Sequence, residues 1–420
     1  MTKASLMVGK IVRHVTRLRG GGSALPGLIV EKLDKRFLHN TLSHLPYGVV
    51  IISGTNGKTT TTKMVVELLS SQGMRVFTNA TGSNFKRGVI SSVIEKASLS
   101  GHLPYDIAVL ELDEAHAVHF VKEIPPRYCL LLNVMRDQLD RFGEIDTTAK
   151  MLEMIAHATT QSVVANREDE RIVEFAQSLE KPVVYYGLSS ELRKRFPTDD
   201  DLYRSSEAPS SPPPARVMLC SIDDHRACFT IDGMCVKCEL KLSGLYNIFN
   251  AAGALTLVKT IMGKQCDDRA LFHTLSNITP AFGRGEQIKI GEHTLELVLV
   301  KNPGGFRLGL QSFDSSNAET MIAINDNYAD GRDMSWLWDV DFSSLSKKGV
   351  SVVSGVRAYD MALRLMYDEV EFRHVQPDLA HALKLFIKTS QGNTRIFCAY
   401  TAMLKLRQEL KKYTKVERVL

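Results

Sequence analysis

The 420-residue sequence contains no apolar run of membrane-spanning length, so no segment reads as a transmembrane helix. It lacks a stripe of Lys and Arg interleaved with aromatics, and its formal net charge of +5 is slight for this size, which together argue against a nucleic-acid partner. Cysteine is sparse and odd in number, with seven residues at 129, 220, 228, 235, 238, 266 and 398. Without a secretory signal or the cysteine density of a disulfide framework, the expected compartment is reducing, the cytoplasm. Internal repeats are absent. What is present, 44% apolar and 24% charged residues, is the composition of a globular protein of two or three domains, each long enough to bury a core.

The most informative segment is Ser53-Gly54-Thr55-Asn56-Gly57-Lys58-Thr59-Thr60-Thr61, directly after the apolar stretch Gly48-Val49-Val50-Ile51-Ile52. A strand, a glycine-bearing turn, Lys-Thr and an amphipathic helical pattern form the order of a phosphate-binding loop. Backbone N–H groups and a helix N-terminus face the anion, the lysine reaches the outer phosphates, and the threonine hydroxyl serves Mg2+. The commonest form of this loop has glycine where this chain has Ile52, leaving the shorter Gly54-x-x-Gly57-Lys58-Thr59. ATP with Mg2+ is the expected cofactor pair.

Residues 1–46 read as a helical entry arm. Its first part, residues 6–18, sets Lys10, Arg13 and Arg17 among apolar side chains, and a second short helix runs from Leu25 to about Phe37. The first part is read foremost as a basic, solvated helix packed on the next domain, and otherwise as a helix peripheral to the inner membrane face. From Gly48 to Gly187, apolar runs near 107–112, 128–133, 162–165 and 183–186 alternate with helical patterns, the rhythm of a mostly parallel sheet covered on both faces. Residues 197–214, rich in Asp, Ser and Pro, read as a flexible insertion. Three short alternating runs at 216–222, 225–231 and 234–242 follow, the last two joined by Asp232-Gly233, a hairpin signal. Helices are expected over 247–262 and 269–275. Beyond Pro280, strands near 295–300, 320–324, 350–354, 369–374 and 394–399 suggest a smaller doubly wound unit. The predicted organisation is an arm over 1–46, an ATP-binding domain over 47–283 with a disordered or degenerate insertion near 190–215, and a C-terminal α/β domain over 284–420.

Phosphate binding alone does not define a reaction. Glu111 ends a predicted parallel strand, where such sheets place ligand-facing residues, and is a candidate metal ligand with Thr59. Asp113 and Glu114 just beyond it are better read as acids at a helix N-terminus. The next strand closes on Leu132-Asn133-Val134-Met135-Arg136-Asp137-Gln138-Leu139-Asp140-Arg141-Phe142-Gly143, which packs charges around a turn.

The phosphate loop, the strand-end Glu111 and this turn resemble the ATPase domain of the Mur-ligase superfamily, the amide-bond ligases of peptidoglycan stems and polyglutamyl folates. Asn247-Ile248-Phe249-Asn250-Ala251-Ala252 resembles the family's adenine-side helix, and Gly283-Arg284-Gly285-Glu286 its nucleotide-facing hinge. Leu299-Val300-Lys301-Asn302-Pro303-Gly304-Gly305-Phe306 and the run from Ile324 to Asp339, which contains Asp330-Gly331-Arg332-Asp333-Met334-Ser335-Trp336-Leu337-Trp338, closely resemble the MurT subfamily.

That resemblance implies a Mur-ligase-like α/β fold and ATP-dependent amidation of lipid II at the membrane surface. The α-carboxylate of D-glutamate in the stem peptide becomes an acyl phosphate, which ammonia converts to D-isoglutamine. It implies nucleotide contacts from Gly54, Thr55, Asn56, Gly57, Lys58, Thr59, Thr60, Asn250 and Arg284, Mg2+ at Thr59 and Glu111, and catalytic roles for Lys58 and Glu111. It also implies a separate class I glutaminase of the GatD kind, to whose Cys-His pair Asp333 lends its carboxylate. The sequence agrees on one point: no cysteine here sits in a strand-to-helix nucleophile turn, and Cys129 and Cys398 lie in apolar strands as core residues. Asp330 and Asp333 have the plainer reading of turn caps before Trp336. Two tryptophans beside charged residues suit an exposed interface.

Three departures from the family pattern stand out. MurT chains usually carry a zinc ribbon after the strand that corresponds to Tyr185-Tyr186-Gly187. Here Cys235 and Cys238 form the one true knuckle, with Cys220 and Cys228 as loose companions, and a spacing that puts Cys235 and Cys238 on opposite faces of a strand disfavours zinc. Gln138 stands where many Mur ligases have a metal-binding histidine. Lys150 is read as a solvated helix lysine and not as a carbamylated one. Two other functions stay open beside amidation: a stand-alone Mur-type or folylpolyglutamate-like amino acid ligase, and a nucleotide-binding scaffold, against which Lys58, Thr59 and Glu111 count.

Overall fold

The computed structural model describes residues 3–18, 24–79, 84–136, 145–193, 196, 212–223, 226–242, 244–279, 284–312, 318–414 and 416. Two sheets organise them. The larger has nine strands in the order β2-β3-β1-β4-β5-β6-β7-β8-β9. β1 (Val49–Ser53), β2 (Val76–Thr78), β3 (Ile107–Glu111), β4 (Tyr128–Leu131), β5 (Ser162–Asn166) and β6 (Val183–Leu188) run parallel. β7 (Ala215–Asp223) joins β6 in parallel, and β8 (Arg226–Ile231) and β9 (Met234–Glu239) extend the edge as antiparallel hairpins. Asp232 (φ 47°) and Gly233 (φ 87°) make the two-residue turn between β8 and β9, with the positive angles that match the strand twist.

β1, β3 and β4 are buried at every position because helices cover both faces of the sheet. One face packs on Lys58–Ser71, Leu245–Met262 and Asp268–Asn277, the other on the N-terminal helices and those between β2 and β6. The helix Leu245–Met262 is apolar nearly all round and correspondingly buried. The chain runs from β1 to β2 and β3 on one side of β1, then crosses to β4 on the other. This switch point leaves a crevice at the carboxyl ends of the strands.

The second sheet has six strands in the order β10-β11-β15-β12-β13-β14. β10 (Arg284–Ile290) and β11 (His293–Leu299) are antiparallel, and β12 (Glu319–Ala323), β13 (Val350–Ser354), β14 (Phe372–Gln376) and β15 (Thr394–Cys398) are parallel to their neighbours. Apolar clusters line both of its faces.

The structure corrects several local expectations. The second N-terminal helix does not reach Phe37: it stops at Leu33, where Asp34 is extended, and Phe37–Leu42 forms a separate helix. β2, three residues long, is too short to show an alternation, and polar β10 is an edge strand; neither is expected from sequence. β14 starts later than predicted, because Glu369 adopts φ 54° in the turn after the helix Ala358–Tyr367. Most of the segment expected as a flexible insertion, 194–195 and 197–211, lies outside the described residues, as does Gln138.

Candidate functional site

At the end of β1, Gly54 (φ 136°) and Gly57 (φ 91°) turn the chain into the helix Lys58–Ser71. These angles favour glycine, and space requires it. A Cβ on Gly54 would lie 2.9 Å from the Asn133 nitrogen, and one on Gly57 would lie 2.4 Å from Asn250 Nδ2. The loop is tied to the segment after β4. Thr55 N donates to Asn133 O (3.0 Å), Asn56 N donates to Asn133 Oδ1 (2.9 Å), and Asn133 Nδ2 donates back to Asn56 O (3.0 Å). The Thr55 hydroxyl accepts from Met135 N at 3.0 Å.

The buried Lys58 ammonium donates to Gly54 O at 2.6 Å and to Glu114 Oε1 at 2.7 Å. β1 and β3 pair with Ile52 level with Glu111, so the strand-end carboxylate arrives beside the loop. Thr59 Oγ1 donates to Glu111 Oε1 at 2.8 Å, and Asn84 Nδ2 donates to the same oxygen at 3.0 Å. Asn79 fixes the backbone of Glu111, accepting from its N–H at 3.1 Å and donating to its carbonyl at 3.0 Å. Thr60 is fully buried, and its hydroxyl has no hydrogen-bond partner among the described residues.

An open pocket begins at the loop, lined by Asn56, Gly57, Asn133, Tyr246 and Asn250 on one side and by Leu299, Lys301 and Gly305 on the other. The second side belongs to the six-stranded sheet, so the pocket lies between the two units. Lys301 Nζ donates to Thr55 O at 3.3 Å. Asn302, fully buried, exchanges side-chain hydrogen bonds with Asn56 (3.4 and 3.3 Å) and accepts from Gly305 N at 2.7 Å in the first turn of the helix Pro303–Ser312. Arg136 pairs with Asp339 at 2.6 Å across the same boundary. Arg284 opens β10 level with Val298, another residue of the pocket wall, and its side chain lies outside what the structure describes.

The two aspartates of the Asp-Gly-Arg-Asp segment differ. Asp330 is buried and accepts from Thr401 N (2.7 Å) and Thr401 Oγ1 (2.5 Å), capping the helix Tyr400–Leu410. Asp333 is half-exposed and accepts from Ser335 N at 2.9 Å. The expectation of two exposed tryptophans needs correcting: Trp336 is buried in the core, and only Trp338 reaches the surface, against the edge of Tyr367. Lys150 is exposed on the helix Ile145–Ala158.

Cys129 and Cys398 lie in the cores of the two sheets, and Cys228 neighbours Cys235 across the β8–β9 pair. Burial pushes the Cys129 thiol up to about 12 and raises that of Cys398 as well. Cys238 is buried and within 3.1 Å of Ser276 Oγ, while Cys220 lies 3.0 Å from Thr230 Oγ1 and Cys235 is exposed. Among the described residues, no cluster of three or more His, Cys, Asp or Glu side chains is placed to hold a metal.

The residues at the loop nonetheless fit a nucleotide with Mg2+. A Cβ on Gly54 or Gly57 would press on Asn133 or Asn250 at the loop, the helix Lys58–Ser71 begins there, and Thr59 Oγ1 and the Glu111 carboxylate are adjacent hard oxygens of the kind that would suit Mg2+ beside phosphate and water.

Two family descriptions match the chain: the Mur ligase middle domain over residues 52–258 and the MurT ligase C-terminal domain over 299–403. A curated relative, the lipid II isoglutaminyl synthase (glutamine-hydrolyzing) subunit MurT of Streptococcus pneumoniae, is 29% identical and aligned over 97% of each chain. The chain belongs to the MurT family of Mur ligase-like enzymes. The Staphylococcus aureus MurT is 28% identical over 87% of this chain and 88% of its own. Solved structures show the same fold: the MurF ligase of Thermotoga maritima in complex with ADP has a TM-score of 0.68 at 16% identity, covering 93% of this chain and 85% of that one. A pseudomurein peptide ligase type C from Methanothermus fervidus also reaches 0.68, at 17% identity, covering 88% and 79%.

The MurT C-terminal match contains Lys301, Asn302, Asp330 and Asp333, so the wall facing the phosphate loop belongs to the MurT-specific part of the chain. Several contacts of this MurT-type site are missed by sequence patterning. Glu114, expected only as an acid at a helix N-terminus, is also the partner of Lys58. Its neighbour Asp113 makes no capping side-chain hydrogen bond. Asn133 has a usable signal, its position just beyond the end of a buried parallel strand. Asn79, Asn84 and the contacts of Lys301 and Asn302 have none.

Proposed function

We propose that this chain is the ATP-using subunit of a lipid II amidating complex, converting the α-carboxylate of D-glutamate in the stem peptide to D-isoglutamine with ammonia from a separate GatD-like class I glutaminase. The single observation that carries this reading is the match over nearly the whole length to a MurT subunit whose name states a glutamine-hydrolyzing lipid II isoglutaminyl synthase. A glycine turn at a helix start, with the strand cysteines Cys129 and Cys398 buried and their thiols raised by burial, is in keeping with the ligase half of such a pair.

The chemistry follows from the weakness of a carboxylate as an electrophile. A carboxylate oxygen attacks the γ-phosphorus and ADP leaves, giving an acyl phosphate. Ammonia then attacks the carbonyl carbon, inorganic phosphate departs with the C–O bond electrons, and nitrogen loses a proton to give the amide. Gly54, Thr55, Asn56, Gly57 and Thr60 hold the phosphates through the loop backbone, and Lys58 turns from Glu114 to the transferring phosphoryl group. Thr59 and Glu111 would hold Mg2+, which would neutralise phosphate charge. Asn250, packed on Gly57, reads the base, and Arg284, the first residue of β10, is the arginine assigned to the nucleotide by the family resemblance. Half-exposed Asp333 is available to a histidine of the glutaminase, where a carboxylate fixes the imidazole tautomer.

The test uses the purified chain with its glutaminase partner, ATP, Mg2+, glutamine and lipid II. Amidated lipid II, with ADP formed in step, is the expected product. Unamidated lipid II together with consumption of an added amino acid would instead establish the stand-alone ligase.

A further inference from the structure

We propose that the N-terminal helix Lys3–Leu18 is a docking face for an anionic lipid surface, seated flat with its outer stripe in the headgroup region. One face of the helix is already taken. Leu6 is fully buried and Gly9 is packed so closely that a Cβ there would lie 2.8 Å from Val30 Cγ2 and 2.9 Å from Ile94 Cδ1. Lys10 Nζ donates to Ile94 O (2.9 Å) and Ala97 O (2.8 Å), capping the end of the helix Lys86–Lys96, and Arg13 pairs with Glu95 at 2.5 Å. These contacts fix the rotation of the helix about its axis.

The face they leave outward is apolar. Met7, Ile11, Val15 and Leu18 fall on one stripe at i, i+4, i+8 and i+11, and are 45%, 59%, 42% and 76% exposed. A solvated helix packed on one side would present polar residues here. Exposed Lys3, His14 and Arg17 lie along one border of the stripe, and the helix contains no acidic residue. An apolar stripe with Lys3 and Arg17 along one border, on a helix that has no acidic residue of its own, is complementary to a surface that is apolar beneath and negatively charged above, namely anionic phospholipid. A second copy of the chain would bring the same cations against each other. No helix among the described residues is long and apolar enough to cross a membrane, so the contact is one of lying on the surface. The proposal stands on the helix alone and does not depend on the amidation reading.

The experiment measures co-sedimentation of the full chain with vesicles of phosphatidylglycerol and phosphatidylcholine, against vesicles of phosphatidylcholine alone, at low and high salt. No turnover is read, so the outcome is independent of the amidation reading. The wild-type chain is expected to bind the anionic vesicles, and to bind the neutral ones, or any in high salt, far less. The Ile11→Glu/Val15→Glu and Lys3→Glu/Arg17→Glu variants are each expected to lower partitioning about tenfold or more without changing the melting temperature. Because the second pair leaves the apolar stripe intact, it keeps the test decisive if the first pair disturbs folding. Lack of wild-type binding, equal binding to neutral vesicles, or binding unchanged in both variants overturns the proposal. So does a dimer that Ile11→Glu/Val15→Glu dissociates in a chain that binds no vesicles.

Discussion

Asn56 in the phosphate loop and Asn302 at the head of the C-terminal unit face each other as a reciprocal amide pair, Nδ2 to Oδ1 at 3.4 Å one way and 3.3 Å the other. Both are buried, and Asn302 also accepts from Gly305 N at the start of its own helix. Orientation of the six-stranded unit is thus coupled to the shape of the loop. Asn302→Ala should destabilise the chain by about 1–3 kcal/mol, since it removes the donor to the buried Asn56 Oδ1 and leaves Asn56 Nδ2 with the Met135 sulfur. It should also weaken ATP binding several-fold, as read by calorimetry. Unchanged ATP affinity at reduced stability would confine the pair to a structural role.

Lys58 and Glu114 form a buried ion pair, with side chains 10% and 4% exposed. Glu114→Gln removes one carboxylate from the buried ammonium, a loss of up to roughly 3–5 kcal/mol for a broken buried pair, reduced here by the bond to Gly54 O. ATP should repay part of that loss, so the variant is expected to melt lower than wild type without nucleotide and to show a larger upward shift with ATP and Mg2+. Lys58→Ala should abolish the shift. A smaller shift in Glu114→Gln would mean that Glu114 contacts the nucleotide assembly directly.

Asp330 and Asp333 should separate cleanly. Asp330→Asn disturbs the cap at Thr401 and should cost about 1 kcal/mol of stability, read by denaturant unfolding. Asp333→Asn should leave stability nearly unchanged, abolish glutamine-dependent amidation and spare ammonia-dependent amidation. Equal loss of both activities would remove Asp333 from the glutaminase triad.

Cys129 provides a pH test. Burial raises its thiol to about 12, well above that of a solvated cysteine, so the folded state holds a proton that the unfolded chain releases earlier. Its contribution is fully present below the unfolded value and is lost as pH rises toward about 12. Cys129→Ala, although it costs core packing at every pH, should flatten the alkaline decline of unfolding free energy measured between about pH 8 and pH 11. An identical decline in both proteins would show that the thiol does not contribute.

Much of the central sheet is legible in the sequence because its strands are short, continuous apolar runs separated by helices, and because Asp232-Gly233 carries its own turn geometry. The phosphate loop is legible for the same local reason: Gly54, Gly57, Lys58 and Thr59 lie within six residues and act through the backbone that joins them. Edge strands β2 and β10 are not, since the first is too short for periodicity and the second is largely polar, held by pairing with β11. Trp336 and Trp338 look alike in sequence, yet one packs against Phe306 and the other stands at the surface.

The sequence by itself determined the strand, glycine turn and helix start from Val49 to Thr59, which strand ends in Glu111, and which family the chain resembles, because each is a property of contiguous residues. Only the tertiary structure decided which groups meet there. Glu114 reaches Lys58 from 56 positions away through the parallel pairing of β1 with β3, and Asn302 reaches Asn56 from 246 positions away across the boundary between the two sheets. Strand register and the packing of one unit on the other depend on the whole apolar core, so no local pattern records them.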